Sequence, residues 1–430
     1  MPRDLLSILG DADAAAEAGR LRAIRVFLLG YGALRGFVWL LVAAGEALPT
    51  LPGVAAALVQ SVAFGLSLRP GTAWLAPRVA LPALLLQLAL TFPQTANHFW
   101  LELLAVALLC LVRRDDPAGE ALALRALRAV TLVVLFHTGL QKLLYGHFLH
   151  GDFLAYMIGR GDRFATAFRV LLPEAEIARL ASYDPRLDGA GPYRVTLPLF
   201  VAASNLVWIA EMLLPVGLVF RRTRPFAAAA AIALVLAIQL GAREISFALL
   251  FSALLALSLP WPARGRGGEP APAALPRGRR EGRAPQASPP QRAAALAIVA
   301  FVALWPLAHR ALVARYGINP WKLAGWAMYT TPVVPTIVVL FHERDGKLAL
   351  LDERTLPAEA QEALQRFRDD RTAWGTLVSP EPLARAVFEA KPGLGHLVIA
   401  TQKLTLDPQS ARMTSVRENL VFARDEVRAP

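Results

Sequence analysis

Lys142 stands near the end of a long, largely apolar run, Leu122 to Tyr145, within the phrase Gly139-Leu140-Gln141-Lys142-Leu143. A charged amine in a membrane-spanning helix costs a few kcal/mol or more, and such residues mark functional sites. Upstream, a second apolar hairpin carries Asn97-His98-Phe99-Trp100. A lysine and a histidine at the ends of neighbouring membrane helices have the makings of an acid–base site. An amine denied water favours its neutral form and serves as a base, and an imidazole moves protons near neutral pH. Each residue also has a plainer reading. A lysine near a helix end snorkels, threading its ammonium to the interface. A histidine beside Phe99-Trp100 fits an interfacial aromatic belt.

The elements that must position these groups are membrane helices. Of the 430 residues 55% are hydrophobic and 18% charged, below the charged share of about 25% usual in soluble domains. The apolar residues come in blocks long enough to cross a bilayer as helices. We expect a mostly α, polytopic transmembrane bundle of about nine spans, at 23–44, 53–68, 79–94, 97–112, 122–145, 196–220, 226–242, 244–260 and 293–313. Residues 1–22 show no apolar run with a small-residue cleavage site, so the first span is expected to insert uncleaved.

The net charge of +12 collects largely in short loops between spans. Arg20, Arg22 and Arg25, Arg69 and Arg78, Arg113 and Arg114, Arg221, Arg222 and Arg224, and the arginines between 264 and 292 all fall on one side of a nine-span bundle. The positive-inside rule makes that side the cytoplasm and explains the charge without nucleic acid. His98 and Lys142 then share the opposite, outer side. Residues 1–22 are expected in the cytoplasm. Residues 23–260 form the bundle, with an external loop at 146–195 whose arginines count less because long loops translocate regardless of charge. Residues 261–292, rich in Pro, Gly, Ala and Arg, read as a flexible basic cytoplasmic linker before the last span, 293–313.

Residues 314–430 have soluble composition and are expected to form a small external α+β domain. Two strand-like runs, Thr336 to Phe341 and Lys347 to Leu351, flank Arg344-Asp345-Gly346, a hairpin signal. Pro357 to Arg371 and Glu381 to Ala390 read as helices, and His396 to Leu406 as another strand. The single cysteine, Cys110, rules out an intramolecular disulfide or a Cys-based metal pair. His147, His150 and Asp152 lack a fourth ligand, so no metal is expected, and a loop near the membrane surface explains them. Arg35, Glu102 and Glu211 lie within spans and are read as structural charge pairs, with Lys142 or Arg35 as partners for Glu211.

Four stretches, in order, resemble the vitamin K-dependent γ-glutamyl carboxylases and their bacterial relatives with an HTTM domain. Leu90-Thr91-Phe92 with Ala96-Asn97-His98-Phe99-Trp100 is similar to the family's "LTF…ANHYW" stretch, and Gly139-Leu140-Gln141-Lys142-Leu143 to its "GxKKL" stretch, with Gln141 replacing the first lysine. Glu244 to Pro262 resembles a further membrane segment, and Trp326-Ala327-Met328 with Glu343 to Lys347 the start of the family's lumenal domain. The resemblance implies that Lys142 is the base that deprotonates a reduced quinone, vitamin K hydroquinone or menaquinol, with His98 assisting. It also implies that Asn97, Trp100 and Gly139 contribute to the cofactor site. Oxygen then generates a strong base that takes a proton from a glutamate-like peptide or protein substrate, and carbon dioxide adds to the carbanion. The expected setting is the bilayer of a bacterial inner membrane, with the C-terminal domain periplasmic or external. Gln141, and Ile238-Gln239-Leu240 where the carboxylases carry histidine and asparagine, depart from the pattern. A non-catalytic membrane protein whose external domain binds a partner is the alternative. A transporter fits less well, because no internal repeat is evident.

Overall fold

A computed structural model describes Leu9 and residues 14–46, 50–260, 286–344 and 346–427. The expected linker lies mostly outside these residues. The chain divides into two compact units: residues 1–139 with 209–305, and residues 140–208 with 306–430.

The first unit is helical. It contains α1 (Ala14–Glu46), α2 (Leu51–Ser67), α3 (Ala76–Thr91), α4 (Asn97–Leu109), α10 (Arg224–Ala242) and α11 (Ile245–Ala256). It also holds the larger parts of α5 (Pro117–Tyr145) and α12 (Pro289–Tyr316), and the second half of α9 (Pro198–Val219). Each of the nine expected spans coincides with one of these helices. Among the described residues four are long and apolar enough to cross a membrane: Glu17–Leu41, Pro198–Val219, Arg224–Ala242 and Pro289–Tyr316. Helices α2, α3, α4 and α11 are apolar but shorter. The polar side chains of Arg128, His137, Gln141 and Lys142 dilute α5.

Small residues let these helices approach closely, as is usual where no hydrophobic effect drives association. A Cβ on Gly36 would stand 3.2 Å from the Ala57 backbone. Two buried polar groups show how charge is met between these helices. Arg35 donates to both Glu102 carboxylate oxygens at 3.0 and 3.3 Å and stacks 4.2 Å over Phe99, so Glu102 takes the cation that the sequence had offered to Glu211. Arg128 closes the end of α11 by donating twice to the Leu257 carbonyl, at 3.2 and 2.8 Å. That carbonyl has no partner within its helix.

The second unit joins the 146–195 excursion to the C-terminal domain. The excursion is not a plain loop: it forms α6 (Asp152–Arg160), α7 (Asp162–Phe168) and α8 (Glu174–Ala181). The domain carries strands β1 (Ile337–Arg344), β2 (Lys347–Leu350), β3 (His396–Leu406) and β4 (Met413–Ala423) in the antiparallel order β2-β1-β3-β4. Helices α13 (Ala358–Trp374) and α14 (Glu381–Ala390) cover one face. The strand period of two gives β3 two jobs. Leu397 and Ile399 pack with Leu364, Phe367 and Val387 of the helical layer. Leu404 and Leu406, of opposite parity, enter a second core with Phe148, Phe153, Tyr156 and Tyr193 of the excursion.

One ion pair anchors that second core. The Asp152 carboxylate has no solvent exposure and accepts two hydrogen bonds from Arg194, at 3.0 and 2.7 Å. Arg194 also donates to the carbonyls of Pro408 and Gln409, at 2.9 and 3.1 Å. Removing one partner of a buried pair strands the other charge. Arg194→Ala should therefore destabilise this unit by about 3 kcal/mol, read as a lower melting temperature of the purified protein. Arg169→Ala, whose ion pair with Glu174 is largely exposed, should cost under about 1 kcal/mol.

Candidate functional site

The last turns of α5 concentrate the chemistry. Gly146, at φ +81°, ends the helix: its N–H bonds to the carbonyls of Lys142 and Leu143 at 3.2 and 3.1 Å, a left-handed stop that favours glycine. Lys142 sits in the final turn, where a cation complements the helix dipole. Its side chain is enclosed by protein, with 4% exposure, and its Nζ lies 5.6 Å from the centre of the Phe148 ring. Gln141, 1% exposed, donates from Nε2 to the Pro306 carbonyl on α12 at 3.2 Å, while its Oε1 is buried without a hydrogen bond. Arg310 donates to the Leu144 carbonyl at 2.9 Å and stacks 4.5 Å over Tyr145.

His147 follows at once. The sequence suggested a residue at the membrane surface, but its ring is buried, and only His150 is exposed. The reason is the excursion core, which covers it. Burial pushes the His147 pKa down to about 4, against the opposing pull of Asp152 and Asp407. Its Nδ1 is buried without a hydrogen bond. Asp152 is committed to Arg194.

The upstream motif belongs to the first unit. Asn97 opens α4 and is buried, and His98 and Trp100 are half-buried. Phe99 packs with Leu29, Leu84 and Leu103. Gly139, buried on α5, is the last residue of that unit. His137, one turn before Lys142, bonds through Nε2 to the Ala303 carbonyl at 2.9 Å. His98 is carried by α4 in the first unit and Lys142 by the end of α5 in the second.

A feature the sequence reading missed lies within the second unit. A cavity of about 670 Å³ is lined by Tyr145, His147, Arg310, Arg371, Lys403 and Glu418, among others. Arg371, from α13, pairs with Glu418 of β4. Lys403, on β3, donates to the Gly317 carbonyl. Burial lowers the Lys403 pKa, and the neighbouring charge of Arg371 lowers it further. The available signal was slight: a lysine in the buried parity of β3, in line with Leu397 and Ile399.

Compared with protein-family models, curated proteins and solved structures, the chain matches none.

Two outcomes follow. A snorkelling amine would react with an aqueous acylating reagent, whereas an enclosed one would not. Lys347, on an exposed position of β2, should be modified early and Lys142 only after unfolding, as read by peptide mass spectrometry. For His147 the folded pKa lies below the usual 6.5, so the unfolded chain binds the proton first. Its stability contribution is full above about pH 6.5 and falls as pH drops towards 4, by about 3 kcal/mol in all. His147→Gln should flatten that part of the melting-temperature profile between pH 4 and 7.

Proposed function

We propose that the chain is a carboxylase-like membrane enzyme in which Lys142 acts as the base towards a reduced quinone, with His98 assisting. The observation that carries this reading is the enclosure of Lys142 by protein. Snorkelling would leave the side chain at the protein surface with its ammonium in water. Here it lies beneath the Phe148 ring. The buried Gln141 Oε1 and His147 Nδ1 have no hydrogen bond, and a hydroxylated ring brings donors for such acceptors. Asn97, Trp100 and Gly139 join the cofactor site on the strength of the sequence resemblance.

When bound, a reduced quinone with oxygen supplies the strong base that takes the proton of a glutamate-like substrate. Carbon dioxide then adds to the carbanion. The protein's part is to accept a hydroxyl proton at Lys142 Nζ and to keep water from the site, which prevents quenching of a strong base. The reading goes with nine crossings, a cytoplasmic N-terminus and an external C-terminal domain in a bacterial inner membrane. It is supported by the coincidence of nine helices, eight of them apolar, with the expected spans and by the loop arginines.

A second reading, a non-catalytic protein whose external domain binds a partner, has one observation in its favour. Towards the β2 edge the sheet face away from α13 and α14 is open and apolar, with Leu348 62% and Leu350 65% exposed. Purified full-length protein with menaquinol or vitamin K hydroquinone, oxygen and labelled bicarbonate separates the two. We expect quinone epoxide, fixed label, or both, and a loss of roughly a hundredfold or more in Lys142→Ala, the scale of general-base catalysis. Absence of both products, with Lys142→Ala indistinguishable from the parent, favours the binding protein.

A further inference from the structure

The cavity of the second unit has the chemistry of a receptor for an anion with an apolar body. Its volume, about 670 Å³, is that of a site for a drug-sized molecule rather than a bare ion. Leu144, Val313, Val334, Leu404 and Val416 supply apolar wall. Against these stand four cations, Arg310, Arg315, Arg371 and Lys403, and a single carboxylate, Glu418. Arg371 is occupied by that carboxylate. Lys403 gives one hydrogen bond to the Gly317 carbonyl, and an ammonium has three donors. Arg310 spends Nη2 on the Leu144 carbonyl, but its Nη1 is buried without a hydrogen bond. His147, 3% exposed, adds a buried Nδ1 likewise without one.

Buried cationic donors without partners cost stability unless a ligand meets them. Burial and the like charge of Arg371 both lower the Lys403 pKa, and the one carboxylate of the lining is engaged by Arg371. We propose that this cavity binds an amphipathic acid, one anionic headgroup on an apolar body, with Lys403 and Arg310 receiving the head and the apolar wall the body. The cavity shares His147 with the proposed quinone site, but binding here does not depend on the Lys142 chemistry. Two sources share the ligand chemistry: an anionic phospholipid of the surrounding bilayer and a free long-chain acid.

The test uses the full chain purified in detergent and three probes: laurate, 1-dodecanol with the same chain and no charge, and acetate with the charge and no chain. Laurate should bind at least about tenfold more tightly than either of the others. Lys403→Gln and Arg310→Gln should each weaken laurate by roughly ten- to a hundredfold, the scale of a charge-assisted hydrogen bond, while Lys403→Arg retains it. Dodecanol binding as tightly as laurate, or laurate binding unchanged in both glutamine variants, overturns the proposal. The probe comparison on the parent protein stands even if a variant fails to fold. Binding needs no turnover, so an inactive Lys142 site leaves the result intact. In nanodiscs, displacement of laurate by phosphatidylglycerol but not by phosphatidylcholine identifies a lipid headgroup as the occupant. Displacement by neither identifies the free acid.

Discussion

The Asp152–Arg194 pair is the constraint on which the second unit depends. A carboxylate with no solvent exposure keeps its charge only if a cation with good geometry meets it, and the two-pronged guanidinium does so. The same Arg194 holds the carbonyls of Pro408 and Gln409, so one side chain ties the first turn of α6 to the β3–β4 turn. With those two points fixed, Phe148, Phe153 and Tyr193 close against Leu404 and Leu406. Ser204 adds a hydrogen bond to the Phe148 carbonyl at 2.8 Å. Phe148 in turn lies over the Lys142 ammonium, so the enclosure of that amine follows from a carboxylate ten residues further on.

What was legible in the sequence was local. Apolar block length located nine helical segments, and the strand-like runs found β1, β2 and β3, including the hairpin at Arg344 to Lys347. What was not legible is what depends on distant partners. The excursion 146–195 reads as polar because α6 and α8 each have only one apolar face, and the core that buries those faces is completed by the distant Val334, Leu404, Leu406 and Met413. Strand β4 escaped because most of its positions are at least partly exposed, leaving little apolar rhythm. The length criterion also cuts the other way: α2, α3, α4 and α11 were located correctly, yet fall short of the four helices that meet it.

The same distinction separates the two lysines. Lys142 announces itself because a charge in an apolar helical run is expensive wherever the helix goes. Lys403 does not, because lysine on a strand is ordinarily a solvent-facing or edge-protecting residue. Only the arrival of Arg371 from α13 and of the Gly317 carbonyl from the end of α12 makes it an interior group. A site assembled from α12, α13, β3 and β4 has no signature in any one of them.

Helix direction bears on the number of crossings. Within the second unit Gln141 meets Pro306 and Leu144 meets Arg310, so the ends of α5 and α12 advance side by side in the same sense. Two membrane helices that run parallel require an odd number of crossings between them. Helices α9 and α10 are long and apolar enough to supply two. On the proposed nine-crossing reading the third falls to α11, whose 12 residues extend only about 18 Å as a helix. A bilayer core is about 30 Å thick, so α11 needs the apolar turn Leu257 to Leu259 and local thinning to reach across. Arg128, donating twice to the Leu257 carbonyl, satisfies the backbone at that end. On that reading an α11 that turned back at mid-depth would set α12 against α5, contrary to the pairing of Gln141 with Pro306 and of Leu144 with Arg310.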